Sequence, residues 1–210
     1  MTVALVRTGV ANVASVAAAF RRLGVDLEPT EDPAVVAEAP AVVLPGVGSF
    51  GAGVARLGEL GVGSALAERI ERGAPTLAVC LGLQLLARTS EESPAVRGLD
   101  VLPTEVVRLR GAPRLPHFGW NRVEPADGSE LLVDGDAYFA HTFHLADAEA
   151  LTRDGWRVAH TAEGARFVSA VERGAVLACQ FHPELSGAWG AALLGRWLAA
   201  AGVERTQEVA

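Results

Sequence analysis

No lysine occurs in this chain; all 18 of its basic residues are arginine. They are outnumbered by 25 carboxylates, which leaves a formal net charge of −7. That balance argues against generic binding to a nucleic-acid backbone and for a soluble protein. A phosphate-binding P-loop is missing too: the Pro45-Gly46-Val47-Gly48 loop has no Gly-Lys-Ser/Thr ending, so nucleotide binding is set aside. Cysteine is nearly as scarce, with Cys80 and Cys179 as the only two. A disulfide framework is therefore not expected, and the reducing cytoplasm is the expected compartment. No apolar run reaches the length of a membrane span, and the opening residues 1–7 have no signal-peptide layout, so no membrane partner is expected. His117, His141, His144 and His160 have no zinc-ligand spacing, and neither a metal nor another cofactor is expected. Repeats, low-complexity tracts and linkers are lacking as well. The 210 residues are expected to form a single domain over 1–210, frayed after about Gly202.

What is present is an alternation of apolar runs and helical periodicity. Residues 3–6 form a continuous apolar run of the kind found in buried parallel strands. Val13, Val16, Phe20 and Leu23 recur at helical spacing up to a stop at Gly24. A second apolar strand, 41–44, ends in Pro45-Gly46-Val47-Gly48-Ser49-Phe50, a loop whose glycines let backbone approach a ligand. Residues 65–71 read as helix and 76–80 as strand. A further helix is expected from residue 81 through Ala87. This half is read as α/β, a mostly parallel central sheet flanked by helices, with ligands beyond the carboxyl ends of its strands. From about Leu99 the texture changes to short strands, at 101–109, 118–123, 138–143, 156–160, 167–171 and 176–181, with some antiparallel pairing. This is the smaller strand-rich part, and a helix over 188–201 follows it.

The stretch Thr76-Leu77-Ala78-Val79-Cys80-Leu81-Gly82-Leu83-Gln84 carries the chemistry. An apolar strand runs into one cysteine and then a helix, with Ala78 and Gly82 keeping the turn uncrowded. A helix N-terminus favours a thiolate over a thiol. Near the other end stands Cys179-Gln180-Phe181-His182-Pro183-Glu184. In an extended segment His182 and Glu184 would point to the same side, so the carboxylate could orient the imidazole, and the imidazole could take a proton from Cys80 and return it to a leaving amine. That is the Cys–His–acid arrangement of acyl transfer. Cys179 has no turn after it and reads as core, and Glu91-Glu92 reads as a solvated turn.

Cys80 in its elbow, His182-Pro183-Glu184 and the Pro45-Gly46-Val47-Gly48 loop resemble the class I glutamine amidotransferases. Leu44-Pro45-Gly46-Val47-Gly48-Ser49-Phe50, Pro116-His117-Phe118-Gly119-Trp120-Asn121 and Tyr138-Phe139-Ala140-His141 narrow the resemblance to the glutaminase subunits of imidazole glycerol phosphate synthase, in histidine biosynthesis. The resemblance implies the single-domain class I amidotransferase fold. It makes Cys80 the nucleophile, His182 the proton shuttle and Glu184 its support. It places oxyanion and substrate contacts at Val47, Gly48, Leu81, Gln84, Thr142 and Phe143. It also implies a separate (β/α)₈-barrel cyclase subunit as heterodimer partner, receiving ammonia, with Asn12, Trp120, Asn121 and Tyr138 near the interface.

Some positions depart from the family pattern. The family usually has Asp-Tyr-Gly-x-Gly-Asn where this chain has Arg7-Thr8-Gly9-Val10-Ala11-Asn12, Gly-Ile where it has Ala78-Val79, and Lys where it has Leu185. The first and last of these bear on partner docking more than on glutamine hydrolysis. Two other readings stay open: the glutaminase subunit of pyridoxal phosphate synthase, whose last motif can also read His-Pro-Glu-Leu, and a non-catalytic amidotransferase-like binding protein.

Overall fold

The computed structural model describes residues 2–9 and 13–204. The elements in chain order are β1 (Val3–Val6), α1 (Val13–Arg21), β2 (Leu27–Thr30), α2 (Pro33–Glu38), β3 (Ala41–Gly46), α3 (Phe50–Leu60), α4 (Val62–Glu71), β4 (Thr76–Cys80), α5 (Leu81–Leu85) and β5 (Ala87–Ser90). There follow β6 (Leu102–Arg108), β7 (His117–Pro125), β8 (Gly135–His141), β9 (Phe143–Leu145), α6 (Ala148–Arg153), β10 (Arg157–Glu163), β11 (Ala165–Arg173), β12 (Val176–Cys179), a 3₁₀ turn over Pro183–Leu185 and α7 (Gly187–Ala200).

The main sheet path runs β2-β1-β3-β4-β12-β11-β10-β7-β8. From β2 to β12 every neighbour is parallel, and from β12 to β8 every neighbour is antiparallel. Side paths add β5 and β6 as a parallel pair, with β9 antiparallel to both β6 and β11. The central strands are buried along their whole length because both faces are covered. Val3, Leu5, Val43, Leu77, Val79 and Leu177 pack on one side with Phe20 of α1 and Leu194 and Trp197 of α7. Ala4, Val42, Leu44, Ala78 and Val176 pack on the other with Val36, Phe50, Leu57, Leu66 and Ile70 of α2, α3 and α4. Period-two alternation divides each strand between two cores, which is why these strands read as unbroken apolar runs.

Buried Arg69 ties the second layer to the sheet edge. Its guanidinium donates to Thr76 Oγ1 at 3.0 Å and to the carbonyls of Val36, Ala37, Ala39 and Pro75. Burial, helped by nearby Arg72, pulls its pKa down to about 10.

Two readings of the sequence need correction. The helix after Cys80 stops at Leu85 rather than running through Ala87, because Ala87 already pairs with Leu102 in a parallel ladder. The 138–143 run is two strands broken at Thr142, so that β8 pairs with β7 while β9 turns to β6 and β11. The expected fraying after Gly202 falls mostly outside the described residues, of which Gly202, Val203 and Glu204 are the last.

Candidate active site

Three neighbouring parallel strands end together. In the ladder Gly46 faces Cys80, and Val79 faces Cys179. The loop after β3, the Cys80 turn and the segment 180–184 after β12 therefore leave the sheet side by side, at the carboxyl edge where α/β sheets bind ligands. A cleft of about 350 Å³ opens there. Val47, Gly48, Cys80, Leu81, Gln84, Thr142, Phe143 and His182 line it, so residues nearly 140 positions apart in sequence meet in one place.

Cys80 holds φ 55°, ψ −107°, a left-handed conformation that is strained for any side chain with a Cβ. The chain turns sharply here from β4 into α5, the strand-to-helix geometry that a nucleophile elbow requires. The turn needs glycine at position 82, since a Cβ there would collide with the Leu44 carbonyl oxygen. Gly48, at φ 102°, likewise needs the freedom of glycine.

His182 Nδ1 lies 2.8 Å from Glu184 Oε1, and both side chains are buried. The pairing is made differently from the extended segment read in the sequence. His182 is extended, but Pro183–Leu185 is a 3₁₀ turn that curls the carboxylate back to the imidazole. Ser186 Oγ donates to the His182 carbonyl and fixes the turn. Burial works against charge on His182, yet hydrogen bonding to Cys80 and Glu184 and their negative charge outweigh it. The imidazole pKa is pushed up to about 10. His182 thus keeps its proton through neutral pH, flanked by the sulfur and the carboxylate.

Cys179 lies on the same sheet edge but is fully buried, its sulfur toward the Ala78 and Phe181 carbonyls at 3.8 and 3.5 Å. Burial, then the charges of Glu184 and Cys80, push its thiol well up, so it stays protonated and unreactive.

Around Cys80, His182 and Glu184 runs a polar network that the sequence reading did not contain. Gln84 Nε2 donates to the Phe143 carbonyl at 3.0 Å and to Gln180 Oε1 at 2.9 Å. Gln180 Nε2 lies 3.6 Å from Cys80 Sγ. His141 Nδ1 also meets the Phe143 carbonyl, at 2.9 Å, and its Nε2 lies 3.1 Å from His117 Nδ1. Burial dominates the pKa of His141 and pulls it down to about 3, so the ring is neutral. A glutamine just after an apolar strand and histidines in a hairpin have no one-dimensional signature; only the register of β7 on β8, with His117 opposite His141, brings the rings together.

Glu92 also lines the cleft. The turn read at Glu91-Glu92 is there, with Glu91 exposed, but its carboxylates are engaged: Glu92 Oε2 accepts the Phe50 N–H at 2.6 Å and caps α3, while Glu91 accepts the Arg108 N–H at 2.8 Å. Both residues are engaged because β5 and β6 bring that turn against the start of α3. Phe118, absent from the expected site residues, stands 65% exposed on the cleft wall. Trp120, two residues on, is 57% exposed and meets Tyr138 edge-on, with ring centroids 6.2 Å apart. Asn121 turns its amide inward, to the Ala162 carbonyl and the Glu163 carboxylate. Asn12 lies outside the described residues, as do Val10 and Ala11. The cation at Arg7 has an acid of its own, Glu31, at 3.5 Å. Among the described residues no group of three potential metal ligands comes together, and no helix is long and apolar enough to cross a membrane.

Comparison with known proteins agrees with this geometry. The sequence model of the class I glutamine amidotransferases matches residues 5–198. The HisH subunit of imidazole glycerol phosphate synthase from Moorella thermoacetica is 41% identical over 196 residues, 91% of each chain. That of Methanothermobacter thermautotrophicus is 39% identical, over 90% of this chain and 93% of its own. The chloroplastic hisHF synthase of Arabidopsis thaliana is 37% identical over 93% of this chain, and the match spans 34% of that longer protein. A crystal structure of a glutamine amidotransferase superposes with a TM-score of 0.75 at 23% identity, covering 96% of this chain and 99% of its own, which speaks to the fold. With the family model spanning the described sheet and HisH relatives aligning over nine-tenths of its length, this chain belongs to the class I glutamine amidotransferases, in the branch of the imidazole glycerol phosphate synthase HisH subunits.

Proposed function

We propose that this chain is the glutamine-hydrolysing subunit of an imidazole glycerol phosphate synthase, with Cys80, His182 and Glu184 as its catalytic residues. The observation that carries the reading is His182 in the cleft between Cys80 and Glu184, with its ring held at 2.8 Å by the carboxylate. Cys80 attacks the side-chain amide carbon of glutamine, its proton having passed to His182. The carbonyl oxygen takes the negative charge and is met by the Leu81 N–H and an N–H of the Val47–Gly48 segment. One such donor typically contributes about 10²–10³ in rate. As the tetrahedral intermediate collapses, His182 gives its proton to the departing nitrogen. The C–N bond breaks, ammonia leaves and a glutamyl thioester remains on Cys80. Water then attacks the thioester, His182 takes the water proton, the C–S bond breaks and glutamate departs. Gln84, Thr142 and Phe143 hold the substrate's polar groups.

The partner in this reading is a (β/α)₈-barrel cyclase. Three features support it: the HisH names of the relatives, the fused hisHF synthase in Arabidopsis, and an exposed apolar rim. In that rim Phe118 lines the cleft, Trp120 follows on the same strand, and Leu185 is 41% exposed after His182. A surface with exposed aromatic anchors suits a protein partner. Trp120 and Tyr138 belong to this docking face, with Asn12 and Asn121 beside it. No comparably specific observation favours the pyridoxal phosphate synthase or non-catalytic readings. The test is isotopic. Glutamine labelled with ¹⁵N at the amide, given to the complex of this chain with the cyclase subunit and its ribonucleotide substrate, should place the label in the imidazole ring even in the presence of unlabelled ammonium. Dilution of the label to the level of the added ammonium would contradict transfer between the subunits.

A further inference from the structure

The orientation of every amide and imidazole in the polar network follows from one atom. The Phe143 carbonyl can only accept, so the Gln84 atom 3.0 Å from it is the nitrogen. That nitrogen has a second hydrogen, and it points at a Gln180 atom 2.9 Å away, which must then be the oxygen. The other end of the Gln180 side chain is therefore the NH₂ group, and it stands 3.6 Å from Cys80 Sγ. The same carbonyl makes His141 a donor at Nδ1, so its Nε2 accepts from His117 Nδ1. Two chains of hydrogen bonds thus start at one carbonyl, and one of them ends on the nucleophile.

Gln180 is fully buried and does not line the cleft, so it reaches the sulfur from the protein side, opposite the substrate. Its position is over-determined: its backbone N–H donates to the Ser169 carbonyl at 2.8 Å, and its side-chain oxygen is taken by Gln84. A backbone group also faces the sulfur, the Ala140 carbonyl 4.0 Å away, an acceptor that suits a thiol and repels a thiolate. A fixed N–H donor has the opposite preference, because a hydrogen bond to an ionised partner is roughly twice as strong as one to a neutral partner. We propose that Gln180 is a further catalytic residue, a buried donor that favours the thiolate of Cys80 and that Gln84 and the Phe143 carbonyl hold in the donating orientation. Because Gln84 and Phe143 also face the cleft, the wall that contacts glutamine and the group that supports the nucleophile are parts of one hydrogen-bonded unit.

The proposal rests on the glutaminase reading, so its test does not use turnover. The full-length chain is labelled with iodoacetamide across the neutral and alkaline range, and modification at Cys80 is followed by peptide mass. In Gln180→Met, close to glutamine in volume but without a donor, the pH profile of Cys80 labelling should move up by about one pH unit, the expected result of losing one hydrogen bond to a charged group. On the acid side of that profile, labelling at a fixed pH should fall about tenfold with it. Gln180→Leu, of different shape, should give the same direction and carries the test if the Met variant does not melt cooperatively. Gln180→Met and Gln180→Leu profiles that coincide with wild type, in folded protein, would overturn the role of Gln180. Failure of the glutaminase reading would show differently, as wild-type Cys80 that labels normally in a complex that releases no glutamate.

Discussion

Cys80→Ala is expected to lower glutamine hydrolysis by about 10⁴-fold or more while leaving glutamine binding within a few-fold of wild type. The loss should be this large because the sulfur takes part in both halves of the reaction, forming the thioester and leaving from it. The remaining machinery binds but cannot form the covalent intermediate. Cys179 offers no substitute. It is one position short of the turn, fully buried, and its thiol is pushed well up by burial. Stability should change modestly, since Cys80 already sits in a left-handed conformation that alanine also tolerates poorly, and the sulfur's contacts to the Ala140 carbonyl at 4.0 Å and to Gln180 at 3.6 Å are long, which leaves the hydrogen bond to His182 as the one of consequence. Steady-state glutamate release together with calorimetric titration of glutamine checks both halves of the expectation. Equal loss of binding and turnover would point to a collapsed cleft instead of a missing nucleophile.

Glu184→Gln should cost about 10²–10⁴-fold in kcat with a much smaller change in KM. The carboxylate touches no substrate; it acts through His182, as a positioning residue. An amide in its place can present N–H to Nδ1 and favour the wrong tautomer, and it removes the charge that stabilises imidazolium. The pH profile separates this from a loss of structure. Burial opposes charge on His182, while Cys80 and Glu184 raise its pKa to about 10 from an ordinary 6.5. In wild type the form able to protonate the leaving nitrogen should therefore persist until the pH approaches 10. In Glu184→Gln the alkaline limb of activity should move down towards the ordinary histidine range. Stability carries the same sign. A histidine whose pKa is raised on folding stabilises the fold fully below 6.5 and loses that contribution as the pH rises towards 10. The wild-type melting temperature should fall across that window, and the variant should show a shallower fall.

Much of this architecture was legible in one dimension, for identifiable reasons. The central strands of the parallel half, β1, β3, β4 and β12, announce themselves because they are covered on both faces and are almost wholly apolar. The proposed catalytic residues Cys80 and His182 stand out because cysteine and histidine are rare here and because one ends an apolar strand and the other closely follows one. Other elements were hidden by their chemistry. The α3 helix contains Gly51, Gly53 and Gly58, which weaken any helical signal; Gly53 is there because Leu85 of α5 packs directly over it. The β2 strand reads Leu-Glu-Pro-Thr, a sequence tolerated because it lies at the sheet edge. The α2 helix does carry a start signal, Asp32 capping the Ala34 N–H with Pro33 at its first position. The Gln84–Gln180–Cys80 contacts could not be read at all, since they depend on β12 lying beside β4, with Cys179 facing Val79. The same holds for the helix-capping role of Glu92, whose partner Phe50 lies 42 positions earlier in the chain. Arg7, which breaks the family pattern, becomes intelligible only once Glu31 at the end of the neighbouring β2 strand is seen to face it.

The most direct test of the account is glutamate release from glutamine by this chain, alone and with a cyclase subunit carrying its ribonucleotide ligand, using Cys80→Ser as the blank. The account predicts weak release by the isolated chain, a rise of at least about tenfold in the ligand-bound complex, equivalent to about 1.4 kcal/mol off the barrier, and none above background in the variant. Release that is absent from a folded complex, or that survives in Cys80→Ser, would contradict it.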